Sequence, residues 1–253
     1  MLKNNPNKPL RIVSVVPSQT ELLYTLGLDD EVVGITKFCV HPKAWFKQKT
    51  RIGGTKTLNI ELIKSLNPTL ILANKEENVK EQIEALRDVC SVYVSDITSF
   101  DEALDMMEVI GQWTSRVEMA RELIEQLRYL SHRVVDHKVS LSVLYLIWQK
   151  PYMAAGSDTF INTMLHLGGW NNCVKQTRYP SLTEDAIVKL NPDLVFLSSE
   201  PFPFKQKHID ALKLLLPNAT IILVDGEMFS WYGSRLLFTF DYFKQLHEKL
   251  GYT

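Results

Sequence analysis

One short unit is written twice in this chain. The stretches "IELIKSLNPTLILANKEE" (60–77) and "EDAIVKLNPDLVFLSSEP" (184–201) superpose when Asn67-Pro68 is laid on Asn191-Pro192, an offset of 124 residues (191 − 67). Leu66 then falls on Leu190, Ile63 on Ile187, Leu70 on Leu194, Ile71 on Val195 and Glu76 on Glu200. In each copy an amphipathic helix stops at Asn-Pro and a continuous apolar run follows, the pattern of a strand covered on both faces. Corners of this kind are common. Three further matches in nearly the same register make chance the weaker explanation: Glu84-Ala85-Leu86 with Asp210-Ala211-Leu212, Val94 with Val224, and Asp96 with Asp225. Two similar lobes are expected.

The pattern around the repeat agrees. "RIVSVV", "EVVGI" and "SVYVSD" read as buried strands, separated by the helical runs "SQTELLYTLGL" and "NVKEQIEALRDVC". Ser18 is expected to cap the first helix, with Glu21 completing a capping box. A second block, "SLSVLYLIW", "DTFINTMLHLGG", "ATIILVDG" and "SRLLFTFDYFKQLHEKL", alternates in the same way. Such alternation predicts an α/β fold with two Rossmann-like βα lobes and mostly parallel sheets. Between the blocks, apolar residues from Ala103 to Val134 recur three or four apart with no proline. That spacing predicts one very long helix or two nearly collinear ones, the alternative being two ordinary helices with a bend near Trp113–Ser115. The expected divisions are 10–98, a helical link at 99–138, and 139–253.

Bulk properties exclude several functions. The 253 residues are 45% hydrophobic and 23% charged, with a net charge of −1, so no nucleic-acid partner is expected. No apolar run approaches the roughly 20 residues of a membrane helix. The polar start "MLKNNPNKPLRIVSVVPS" lacks the apolar core of a secretory leader. As written the chain reads as cytoplasmic; if a leader has been removed, it is periplasmic or lipid-anchored. Three cysteines at irregular spacing favour free thiols.

Ligands of open α/β folds sit at the carboxyl ends of strands. In the first lobe those edges carry Pro17, Ser18 and Gln19, then Lys37, Phe38, Cys39 and His41, then "IGGTK" at 52–56. In the second they carry Trp148 and Tyr152, then Arg178 and Tyr179, then Glu227, Phe229, Trp231, Tyr232 and Arg235. Crowded aromatics suit a large planar ligand, offering wide contact with few rotamers to freeze. Cys39 and His41 would share a face if their segment is extended, but two ligands are too few for a closed metal site. No metal centre is assigned. Sequence signatures of nucleotide binding or hydrolysis are absent.

The segments "RIVSVVPSQTELLYTLGL", "VVGITKFCVHP", "IGGTKTLNIELIKSLNPTLIL", "YMAAGSDTFINTMLHLGGWN", "YPSLTEDAIVKLNPDLVFLSSEP" and "VDGEMFSWYGSRL" together resemble the chelate-binding class of substrate-binding proteins of ABC importers. Within that class they are most similar to the cobalamin-binding branch, with siderophore and haem binders more distant. The resemblance implies two lobes joined by one long rigid helix, with the ligand in a cleft between them. It implies a transported corrinoid (cobalt) or other metal chelate and no tightly bound cofactor. The expected partners are importer membrane subunits, the protein itself being a monomer. Phe38 falls where the family places an aromatic against the corrin, Tyr179 at another cleft aromatic, and Glu227 at an acid beside the ligand. His41 becomes a candidate axial contact. The chain departs from the cobalamin binders near Thr55–Lys56, which has no tryptophan, and at Trp231, where they have a basic residue. Glu61 and Asp185, in the first turns of the two repeated helices, match acids that dock the importer, although the helix dipole alone favours a carboxylate there. The competing expectations are a corrinoid-handling or sensing protein without a transporter, and an enzyme on this scaffold using Cys39 or His41.

Overall fold

A computed structural model describes residues 9–132 and 141–251. The chain forms two compact units. The first comprises the chain up to Ile97, Asp101–Glu125 and Tyr232–Arg235; the second comprises Thr98–Phe100, Gln126–Trp231 and everything from Leu236 onward. Among the described residues no helix is long and apolar enough to cross a membrane.

The first unit contains β1 (Ile12–Ser14), α1 (Pro17–Thr25), β2 (Val32–Ile35), α2 (Lys43–Gln48) and β3 (Thr50–Arg51). A small hairpin follows, β4 (Gly53–Gly54) and β5 (Thr57–Leu58), then α3 (Ile60–Ser65), β6 (Leu70–Asn74), α4 (Lys80–Glu84) and β7 (Ser91–Ser95). Its main sheet runs β3-β2-β1-β6-β7 with every pairing parallel. Counted within the sheet this is the order 3-2-1-4-5 of a Rossmann-like sheet. β1 and β6 are buried along their whole length, as a strand with helices over both faces must be.

The second unit contains β8 (Ser142–Trp148), β9 (Tyr152–Ala154), α7 (Phe160–Leu167), β10 (Asn171–Asn172) and β11 (Ser181–Leu182). It continues with α8 (Glu184–Leu190), β12 (Leu194–Ser198), α9 (Gln206–Leu215), β13 (Thr220–Val224), α10 (Glu227–Ser230) and α11 (Leu236–Lys249). Its sheet runs β11-β9-β8-β12-β13, with β10 also pairing β8. The core β8-β12-β13 is parallel and matches β1-β6-β7 of the first unit. On the other side the units diverge: β9 is antiparallel to β8, whereas β2 is parallel to β1.

The repeated unit is the same in backbone detail. Asn59 caps α3 by accepting from the Leu62 N–H at 3.0 Å, and Thr183 caps α8 by accepting from the Ala186 N–H at 3.2 Å. These capping residues stand at the same offset as the two Asn-Pro pairs. Asn67 (φ 49°) and Asn191 (φ 43°) are both left-handed. Proline disfavours the right-handed helical region in the residue before it, and Asn tolerates the left-handed one better than most side chains. The residue after each proline then ties the corner to the neighbouring strand. Thr69 Oγ1 accepts from the Arg11 N–H at 2.8 Å, and Asp193 Oδ2 accepts from the Ser142 N–H at 2.8 Å.

Three local expectations change. α1 starts at Pro17, with Val16 as its N-cap and no side-chain cap. Proline is suited to the first helical position, so the capping box at Ser18 and Glu21 does not form. α4 is shorter than expected, because after Glu84 the chain tightens into i→i−3 bonds such as Leu86 N–H to Ile83 O and Arg87 N–H to Glu84 O. The segment expected as one long or two collinear helices forms instead α5 (Phe100–Trp113) and α6 (Val117–Ser131), the alternative of a bend near Trp113–Ser115. A Cβ on Gly111 would stand 2.5 Å from that of Ala120. In a straight helix nine residues span about 13.5 Å, so the chain turns back sharply between them, through Ser115 at φ 58°. The remainder of that segment, 133–138, lies outside the described residues.

If the left-handed asparagines define the corners, Asn67→Gly and Asn191→Gly should each leave the urea midpoint nearly unchanged. The valine variants should lose about 1–2 kcal/mol. Equal losses for glycine and valine would show that the side chain, not the backbone angle, matters.

Candidate functional site

In the first unit, most polar residues at the strand ends are turned inward. Ser18 and Gln19 are buried, and Gln19 Nε2 donates to Ser95 Oγ at 2.7 Å. Asn74 closes the end of β6: its Nδ2 donates to Ser95 O (3.0 Å), and its Oδ1 accepts from the N–H of Glu76 (2.8 Å) and Glu77 (3.1 Å). Tyr232 is buried against Ser18 and Ser95, and burial raises its phenol well above the usual range. Arg235 is also committed inside this unit. Its Nη2 and Nε donate to Glu21 Oε1 and Oε2 at 2.6 and 2.9 Å, and both side chains are nearly buried.

Phe38 does the opposite: it is 51% exposed, in the turn after β2. That turn also decides the fate of Cys39 and His41. The chain bends at Lys37–Phe38, with the Cys39 N–H bonded to Thr36 O, so the alternation required for a shared face does not hold. The Cys39 thiol is fully buried between Thr20 Oγ1 (3.0 Å) and Thr36 Oγ1 (3.2 Å), and burial raises its pKa. His41 is half-buried in the following loop. Among the described residues no group of three or more His, Cys, Asp or Glu is placed to hold a metal. The "IGGTK" segment is the β4–β5 hairpin, and α3 begins beyond it at Ile60.

In the second unit Trp148, at the end of β8, is 39% exposed and meets Phe202 edge-on at 5.5 Å. Tyr152 is half-buried, its hydroxyl accepting from Gln149 Nε2 at 3.3 Å. Tyr179 is half-buried just before β11. Phe229 is fully buried in a ring cluster, 4.9 Å from Phe243 and 5.1 Å from Tyr145. Its surface goes to the core of the unit.

Glu227 is half-buried at the start of α10, and its N–H donates to Asp225 Oδ1 at 3.1 Å. The acid that sequence reading treated only as a repeat marker, Glu200, sits nearby. Its Oε1 accepts from Ser230 Oγ at 2.8 Å and from Trp231 Nε1 at 3.0 Å. A Cβ on Gly226 would stand 2.7 Å from Glu200 Cγ, so only glycine admits this packing. Burial raises the Glu200 pKa; the bonds from Ser230 and Trp231 oppose the rise, and the negative charges of Glu227 and Asp225 add to it. Trp231 is thereby a buried indole held on an acid. The two acids of the repeated helices lie outward: Glu61 is 82% exposed and bridged to Lys64 at 2.8 Å, and Asp185 is exposed.

The sequence matches the family described as periplasmic binding protein across residues 12–214. The chain belongs to that family. It is 32% identical over 200 residues to YvrC, an uncharacterized ABC transporter substrate-binding lipoprotein of Bacillus subtilis. That match covers 74% of this chain and 63% of the lipoprotein, so the chain spans less than two thirds of that relative's length. It is 25% identical over 200 residues to a vitamin B12-binding protein of Vibrio cholerae, covering 74% of this chain and 70% of that protein. In three dimensions it is similar to a possible iron-binding (periplasmic solute-binding) protein from Staphylococcus epidermidis, with a TM-score of 0.79 and 28% identity. That comparison covers 95% of this chain and 98% of the other. All three relatives are named for binding, none for catalysis, and the family's two-lobed α/β fold agrees with the two units found here.

The acid beneath Trp231 generates a pH prediction. A carboxyl whose folded pKa lies above its unfolded value stabilises the native state fully below the unfolded pKa and loses that contribution as pH rises through the folded one. The urea midpoint of the wild type, measured relative to Glu200→Gln, should therefore fall as pH rises through that window. A difference that is flat or rises with pH would place the Glu200 proton elsewhere.

Proposed function

We propose that this chain is a binding protein for a metal chelate, a corrinoid such as cobalamin, which it delivers to an ABC importer. The observation that carries the reading is the exposed aromatic surface at strand ends in each unit, Phe38 in the first and Trp148 in the second. In the second unit we assign Tyr152 and Tyr179 to the same role as Trp148, and Glu227 as a polar group for the ligand. Wide aromatic faces with few polar groups are what a large planar ligand requires. The identity shared with a vitamin B12-binding protein supports the corrinoid. His41, in the loop that presents Phe38, is the side chain we assign to an axial contact. Tyr232 and Arg235 support the first unit from within, as Phe229 and Trp231 do the second.

Titrating the purified protein with cobalamin should quench its tryptophan fluorescence saturably, and Phe38→Ala should weaken binding roughly tenfold, as loss of an aromatic anchor does. The name of the Staphylococcus epidermidis protein favours an iron chelate as the second reading. Binding of haem or a ferric siderophore with no response to cobalamin would replace the first reading with that one.

We further propose that Glu61 and Asp185 grip the importer. Both are exposed and stand at matching places in the repeated helices, so one acid is offered by each unit. Reversing both charges (Glu61→Lys with Asp185→Lys) should abolish capture by the importer's membrane subunits in a pull-down while leaving ligand affinity intact. A loss of ligand affinity would refute the docking role.

A further inference from the structure

The hairpin β4–β5 is fixed from several sides within the first unit. Gln82 uses both ends of its amide: Oε1 accepts from the Leu58 N–H at 2.7 Å, and Nε2 donates to Lys56 O at 2.9 Å. Asn78 Nδ2 donates to Thr55 O at 3.0 Å, and the Lys37 N–H donates to Gly53 O at 2.8 Å. Gly53 has φ 105°, and a Cβ there would stand 2.3 Å from Thr57 O, so the hairpin requires glycine at that point. Gly54 is the floor. A Cβ on it would lie 3.2 Å from the Phe38 ring and 3.3 Å from Lys37 Cε.

On that floor the Lys37 ammonium stands 5.1 Å from the Phe38 ring centroid. Among the described residues it forms no ion pair. Its attraction to the ring is the weak one of a cation for the negative face of an exposed aromatic. A flat ligand laid on Phe38 takes that face, and the ammonium must move to the ligand's edge. At a neutral edge it exchanges the ring contact for at most a hydrogen bond to an uncharged carbonyl. At an anionic edge it gains a charge-assisted hydrogen bond, stronger than the contact it gave up.

We infer that Lys37 is a specificity residue that selects, among flat metal chelates, those bearing a carboxylate or phosphate at the ring periphery. The inference rests on the chelate-binding reading above. It deepens that reading by naming the class of chelate.

The test uses matched pairs that differ only at the edge: cobyrinic acid against its heptamethyl ester, and iron protoporphyrin against its dimethyl ester. Each is titrated into wild type, Lys37→Met and Lys37→Arg, with circular dichroism confirming the fold of each variant. For the ring that binds, the wild type should prefer the free acid by about tenfold, the scale of one hydrogen bond to a charged group. Lys37→Met should bring the two within about twofold by weakening only the acid, and Lys37→Arg should keep the preference. An equal affinity for acid and ester in the wild type, or a preference that survives in Lys37→Met, overturns the inference while leaving chelate binding in place. If no member of either pair binds the wild type, the chelate reading fails, and this inference fails with it.

Discussion

The bidentate pair between Glu21 and Arg235 is the contact on which the first unit's strand-end face depends. The two residues are 214 positions apart, yet both belong to that unit. A carboxylate and a guanidinium this far removed from solvent are tolerable only together, because removing either leaves an uncompensated charge at a cost of roughly 3–5 kcal/mol. What the pair holds is the short return Tyr232–Arg235. Gly233, at φ 150°, passes close over the first turn of α1; a Cβ there would be 3.0 Å from Ser18 O. Tyr232 and Ser234 are buried beside it. Glu21 is engaged by this return, and α1 starts on a proline without needing it as a cap.

With that face closed, what remains open is defined by the hairpin and the turn after β2. Gln82 and Asn78 hold the hairpin, the hairpin seats Phe38, and the buried Cys39 anchors the turn from below through Thr20 and Thr36. Each link is a hydrogen bond or a glycine contact within one unit. The exposure of Phe38 is thus a consequence of how tightly its surroundings are satisfied, not of looseness in the loop.

Much of this was legible in the sequence. The Asn-Pro corners, the continuous apolar strands and the mostly parallel pairing follow from local rules that the sequence states directly. The burial of Arg235 and Phe229 does not, because an arginine or a phenylalanine after a strand reads the same whether it faces a ligand or its own core. Only contacts distant in sequence decide between them: Glu21 for one, Tyr145 and Phe243 for the other. The sharp turn after Trp113 stood in the sequence only as the alternative of a bend near Trp113–Ser115, for a related reason. Apolar spacing of three and four continues across Thr114–Arg116, since two packed helices bury the same stripe as one straight helix. The signal that marked the turn was a single glycine facing Ala120. Glu200 and Gln82 were visible as residues but not as functional groups, one resembling any acid of a repeat and the other any polar position on a helix.

The repeat, finally, conserves backbone without conserving chemistry. β1-β6-β7 and β8-β12-β13 share order, direction and corner geometry, yet the side chains at their ends are engaged differently. β6 ends at Asn74, whose Oδ1 is taken by the N–H groups of Glu76 and Glu77 and whose Nδ2 is taken by Ser95 at the end of β7, and beside Phe38 that unit's edge carries the exposed ammonium of Lys37. β12 ends at Ser198, and the edge that follows gathers Glu200, Asp225 and Glu227, with the Trp231 indole and the Ser230 hydroxyl both donating to Glu200 Oε1. Burial is the main reason that Glu200 retains its proton to higher pH, and the negative charges of Glu227 and Asp225 add to it. The same backbone corner therefore carries a lysine over an aromatic ring beside it in one unit and a cluster of acids in the other.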